Sequence, residues 1–178
     1  KVIPNWAELE TVRPMPRSEN ELLEELGLED KFVMLYAGNM GRPNDLESIV
    51  EAAARLKGNK EIHFIFLGNG AKEKWLRSTV SELSLDNITI LPPKPRAEQT
   101  TFLNACDVAI VTLVKKMKGV SMPSRTYNLL AAGKPILGII EFGSELDRVV
   151  SEERVGWIVE PHDPEALVDT ILGIYEDR

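Results

Sequence analysis

The chain has 178 residues, 43% of them hydrophobic and 28% charged, with a formal net charge of −7. That length and mix suit one compact domain with its own core, and they exclude a disordered or fibrous chain. The acidic balance argues against a nucleic-acid partner, which calls for a basic face, and no window approaches the roughly 18 apolar residues of a membrane span.

The single cysteine, Cys106, rules out an internal disulfide and fits a reduced, cytoplasmic setting. It stands just before the apolar run 108–111, which predicts a buried structural thiol. No signal peptide opens the sequence, and a first residue other than Met is what a fragment would show.

Residues 1–17 contain Pro4, Pro14 and Pro16, show no periodicity and read as an extended lead-in segment; the domain proper is expected over 18–178. A helix is predicted from Ser18 to Leu26, with Ser18 and Glu21 as a capping box and Gly27 as the stop. Then the chain alternates. The apolar run FVMLYA at 32–37 is a strand, followed by a helix over 46–56 capped by Asn44 or Asp45. Strand 62–67 closes on Gly68-Asn69-Gly70, and a helix runs from about Lys72 to Leu83. Strand 88–91 ends at Pro92-Pro93 before a short helix over 98–104. Strand 108–111, helix 123–132, strand 135–140, helix 144–150 and strand 156–159 follow. Asp163 as cap and Pro164 at the first position start the final helix.

This alternation predicts an α/β fold: a Rossmann-like, doubly wound parallel sheet of about six strands with helices on both faces. Right-handed crossovers put every strand-to-helix loop on one edge, where ligands bind near the switch in strand order. Four such loops could carry chemistry. In the first, Gly38, Asn39, Met40, Gly41 and Arg42 offer close backbone approach and a charge for an anion, or else a tight turn with a cap. The second holds Gly68-Asn69-Gly70, a weak GxG that reads as a turn bordering a pocket. In the third, Pro93 and Lys94 sit in a proline-stiffened stretch that could present fixed backbone groups to a flat base or serve as a rigid connector.

The fourth loop is basic, with Lys115, Lys116 and Lys118, and leads through Ser121-Met122-Pro123-Ser124-Arg125-Thr126 into a short helix. Its hydroxyls, Arg125 and helix start suit a phosphate; the alternative is a solvated loop. Catalytic constellations are missing. His63 lies in an apolar strand, His162 precedes a cap, and the two histidines and one cysteine have no metal-ligand spacing. There is no GxSxG and no P-loop lysine motif. The expectation is a binder of a phosphorylated ligand with no general base, no metal and no cofactor.

The series IPNW, YAGNMG, FLGNG, ACDVAIV, PSRTYNLLAAGKPI and VGWIVEPHDPEAL, in this order over nearly the whole chain, resembles the C-terminal half of retaining GT-B glycosyltransferases of the bacterial group 1, family 4-like type. The resemblance implies a domain that holds a nucleotide diphosphate sugar, with a UDP-sugar expected, for cell-surface polysaccharide or glycolipid synthesis. It implies an N-terminal acceptor domain elsewhere in the full-length protein, no transfer by this half alone, and a cytoplasmic place open to peripheral membrane association through the other half.

The family often carries Glu-x7-Glu; here Val120 and Asn128 stand at those positions, and Asn39 and Asn44 stand near its pyrophosphate Arg and Lys. The resemblance then assigns Gly38, Asn39 and Met40 to the cleft floor, Pro93 and Lys94 to the base, and Asn128 to the ribose side. Gly68 borders the pocket. Arg42 and Arg125, with Ser121, Met122, Pro123 and Ser124, are placed at the diphosphate. The departures keep two alternatives in play: a non-catalytic nucleotide-sugar-binding module, or a sugar-nucleotide epimerase of the same architecture. A dinucleotide oxidoreductase fits less well, because Glu73 stands where a third glycine belongs.

Overall fold

Six strands form one wholly parallel sheet in the order β3-β2-β1-β4-β5-β6. They are β1 (Phe32–Ala37), β2 (Ile62–Leu67), β3 (Ile88–Leu91), β4 (Val108–Thr112), β5 (Ile136–Ile139) and β6 (Gly156–Val159). The computed structural model describes residues 6–7, 9–120 and 122–178. The α-helices are α1 (Glu21–Leu26), α2 (Leu46–Arg55), α3 (Glu73–Glu82), α4 (Gln99–Asn104), α5 (Arg125–Ala131), α6 (Glu145–Glu153) and α7 (Pro164–Glu176).

Successive side chains of a strand point to opposite faces, and both faces here are covered. Phe32, Met34 and Tyr36 of β1 therefore join one core with α2, α3 and α7. Val33 and Leu35 join the other, with α1, α4, α5 and α6. The same split runs through β2, with Phe64 and Phe66 on the first side and Ile65 and Leu67 on the second. The predicted Rossmann-like, doubly wound sheet is the observed fold.

Local chemistry explains where elements start. Asp45, fully buried, caps α2 by accepting from the Ser48 N–H, and Asp163 with Pro164 opens α7 as the sequence predicts. The α1 cap departs from expectation: it is Asn20, not Ser18. Asn20 Oδ1 accepts from the N–H groups of Leu22 and Leu23, its amide donates to the Thr101 carbonyl at 2.9 Å, and Ser18 falls in a 3-10 turn (Arg17–Glu19). Helix α6 runs three residues past its predicted end, to Glu153, and stops at Arg154 in the left-handed region.

The end of the lead-in segment, residues 12–17, is docked on the domain. Val12 is buried, the Met15 N–H donates to Asn104, and Arg17 Nη1 donates to both carboxylate oxygens of Asp107 at 2.8 and 2.9 Å. Asp107 in turn accepts from the N–H of Val33, the second residue of β1. The Ile3-Pro4-Asn5 part of the IPNW motif lies outside the described residues.

Cys106 is buried, donates to the Leu103 carbonyl at 3.5 Å, and burial pushes its thiol up to about 12. His63 is half-buried, with Nε2 2.8 Å from Thr89 Oγ1. Burial and the Lys31 charge hold its pKa below 6.5, only partly offset by Asp86. Among the described residues no helix is long and apolar enough to cross a membrane, and no three His, Cys, Asp or Glu side chains cluster to hold a metal.

Candidate functional site

The strand order reverses between β1 and β4, so the loops leaving these two strands diverge and open a crevice at the C-terminal edge of the sheet. A cavity of about 350 Å³ lies there. Its floor is the ends of β1 and β2, namely Ala37, Gly38 and Asn39 with Leu67, Gly68 and Asn69. One wall is Pro93 and Lys94 with α4; the other is Arg125 and Asn128 on α5.

The two glycines make the floor. Gly38 and Gly68 both have φ of 144°, a region closed to most side chains. A Cβ on Gly68 would lie 2.0 Å from the Gly38 carbonyl oxygen, so the two strand exits could not run side by side. They do run side by side: the Gly38 N–H donates to Leu67 O at 2.8 Å and the Met40 N–H to Asn69 O at 2.7 Å. A Cβ on Gly38 would lie 2.8 Å from the Arg125 guanidinium carbon. Residue 38 is glycine first for its φ of 144°, and its missing Cβ leaves room for the Arg125 guanidinium where it stands.

Arg125 is the cation at the floor of the cavity. Its Nη1 donates to Ala37 O at 3.1 Å, and its guanidinium lies over the Tyr36 ring, 4.8 Å from the centroid. Lys94, also on the lining, pairs with Glu98 at 3.0 Å. A fixed guanidinium beside side-chain-free backbone at a strand exit is chemistry suited to an anion, and the α4 wall, with Phe102 and Leu103, is suited to a flat apolar face.

The structure brings together Gly38, Asn39, Gly68, Pro93, Lys94, Arg125 and Asn128 of the residues singled out in the sequence. It places others apart. Met40 is fully buried in the core, and both its backbone groups are taken, by Asn69 O and by the Lys72 N–H. Arg42 is exposed and does not line the cavity. Met122 packs on the core under α5, Pro123 accepts the Thr126 N–H, and Ser124 is exposed at the helix start without a side-chain cap bond. Ser121 lies outside the described residues.

The three lysines of the fourth loop do not line the cavity either. Glu141 accepts from the Met117 and Lys118 N–H groups and Lys118 reaches Phe142 O, which ties the loop to the β5–α6 turn. Val120 is 69% exposed. Sequence reasoning missed Gln99, Phe102 and Leu103. Their i, i+3, i+4 spacing on a helix behind a proline loop was the available signal.

The profile of the family described as "Glycosyl transferases group 1" matches residues 18–178. The chain belongs to the group 1 glycosyltransferase family. A Pseudomonas aeruginosa relative described as a probable glycosyltransferase, WbjE, is 36% identical over 174 residues, covering 98% of this chain and 43% of that protein. Among solved structures, HepE of Anabaena in complex with UDP has a TM-score of 0.79 at 20% identity, over 99% of this chain and 48% of that one. The C-terminal domain of the group 1 family protein LpcC of Francisella tularensis has a TM-score of 0.73 at 16% identity, over 96% of this chain and 88% of that domain. The group 1 glycosyltransferase domain thus spans less than half the length of the Pseudomonas relative and of HepE, and nearly all of the single-domain structure. The fold they share is the Rossmann-like half of a GT-B architecture.

Proposed function

We propose that this group 1 domain is the donor half of a retaining glycosyltransferase. It holds a nucleoside diphosphate sugar, a UDP-sugar first of all, for transfer to a cell-surface polysaccharide or glycolipid acceptor. The observation that carries the reading is Arg125 fixed at the floor of the 350 Å³ cavity at the strand-order switch. In this reading Arg125 neutralises the diphosphate, Gly38 and Gly68 let it approach the backbone, and Asn128 is on the ribose side. Pro93 and Lys94, with the α4 face, flank the base. HepE, with UDP bound in a fold of this kind, supports the choice of nucleotide.

The acceptor site belongs to an N-terminal domain of the whole protein, which is cytoplasmic and meets the membrane through that other half. This half alone binds and does not transfer. Val120, exposed and uncharged at a family glutamate position, favours a second reading in which the whole protein binds a sugar nucleotide without transferring it.

The test is amide chemical-shift mapping with UDP. Shifts at Gly38, Asn39, Gly68 and Lys94 support the proposal. Shifts confined to the opposite sheet edge, where a cleft of about 560 Å³ lies among Lys134, Arg154 and Trp157, contradict it. Release of UDP by the whole protein in the presence of acceptor separates the transferase from the binding module.

A further inference from the structure

We infer that Tyr36 is a positioning residue for the cavity: its ring seats the Arg125 guanidinium, so that ligand affinity depends on a side chain no ligand reaches. That the ligand is a nucleoside diphosphate rests on the reading proposed above; the seating itself rests on geometry.

Tyr36 is fully buried and does not line the cavity. Its ring faces Arg125 at 4.8 Å on one side and Phe66 at 5.9 Å on another. Its hydroxyl donates to Asn39 O at 2.6 Å, and Asn44 Nδ2 donates to the same oxygen at 2.9 Å. Burial raises the Tyr36 pKa, with Arg125 opposing, so the phenol is neutral at physiological pH and remains a donor.

Three successive residues at the end of β1 thus hold one guanidinium: the Tyr36 ring beneath it, the Ala37 carbonyl at Nη1, and the bare Cα of Gly38 beside it. A long arginine side chain carries much rotamer entropy, and a seat that removes it before the ligand arrives raises affinity. A guanidinium over a π face is held by the ring quadrupole, so the strength of the seat depends on the electron density of the ring and not only on its shape.

That dependence gives the test. UDP is titrated calorimetrically into the protein carrying Tyr36→Phe, trifluorophenylalanine in place of Tyr36, or Tyr36→Leu, each with Arg125 and with Arg125→Ala. Tyr36→Phe removes the hydroxyl and keeps the π face, so it is the reference against which fluorination is read. Fluorination keeps the shape and removes the quadrupole. It should weaken UDP by about threefold to tenfold relative to Tyr36→Phe, and the step should vanish in the Arg125→Ala background. A purely structural Tyr36 would not respond to fluorination, and the fluorinated protein carries the test even if Tyr36→Leu does not fold. Equal affinity for the Phe and fluorinated proteins, with Arg125→Ala weakened, overturns the inference and leaves the donor site standing. Native affinity in Arg125→Ala overturns both.

Discussion

The carbonyl oxygen of Gly38 lies 2.0 Å from where a Cβ of residue 68 would stand. Two strand exits 30 positions apart in sequence are thereby locked against each other at the floor of the cavity. Gly68→Ala must push β1 and β2 apart at their ends and also hold alanine at a φ of 144°. We expect a loss of about 2 kcal/mol or more in a urea titration, together with loss of UDP binding. A variant as stable as the native protein would mean that the two exits separate freely.

Asp45 joins two distant pieces of chain. Its buried carboxylate accepts from the Ser48 N–H at 3.2 Å, the Ser48 hydroxyl at 2.7 Å and the His162 N–H at 2.9 Å. It therefore caps α2 and pins the turn before α7 in one group. Asp45→Ala removes a cap and leaves a buried N–H unmet, which should destabilise the fold by about 2–3 kcal/mol. Chemical denaturation measures it, and a change under about 0.5 kcal/mol would show that water replaces the carboxylate.

His63 makes stability depend on pH in a definite direction. Its folded-state pKa is depressed below 6.5, so the unfolded chain takes up a proton first as pH falls. Stability is complete above pH 6.5 and declines as pH drops from there towards the folded value. Relative to His63→Gln, the native protein should lose stability as pH falls below 6.5 in urea melts. Parallel curves for the two proteins would show that His63 titrates alike in both states.

Cys106 should be inert. With its thiol near 12 and buried, little thiolate exists at neutral pH. A disulfide reagent should modify it at least about a hundredfold more slowly in buffer than in denaturant. Comparable rates would place it at the surface.

Much of the fold was legible because each strand is a short apolar run, the first three closed by Gly38, Gly68 and Pro92, and a doubly covered sheet makes such runs compulsory. FVMLYA, IHFIFL and ITIL appear as strands at their predicted bounds. What escaped depends on contacts distant in sequence. Ser18 and Glu21 fit the capping-box spacing, yet Asn20 is the cap, where its amide also meets Thr101, 81 positions away. The charge of the 115–118 loop was plain, but nothing local told that Glu141 ties it away from the cavity. Arg125 was legible as a cation at a helix start. Tyr36, a core residue by every local sign, shows its relation to Arg125 only when β1 and α5 are placed together.

The central claim is that the Arg125 cavity holds a nucleoside diphosphate. It is tested most directly by calorimetric titration of UDP, GDP, ADP and NAD into the native protein and into Arg125→Ala. The account predicts selective binding of UDP, weakened in Arg125→Ala by about 1–3 kcal/mol, the range for a charge-assisted hydrogen bond. Selective binding of NAD, or UDP affinity unchanged by the substitution, would contradict it.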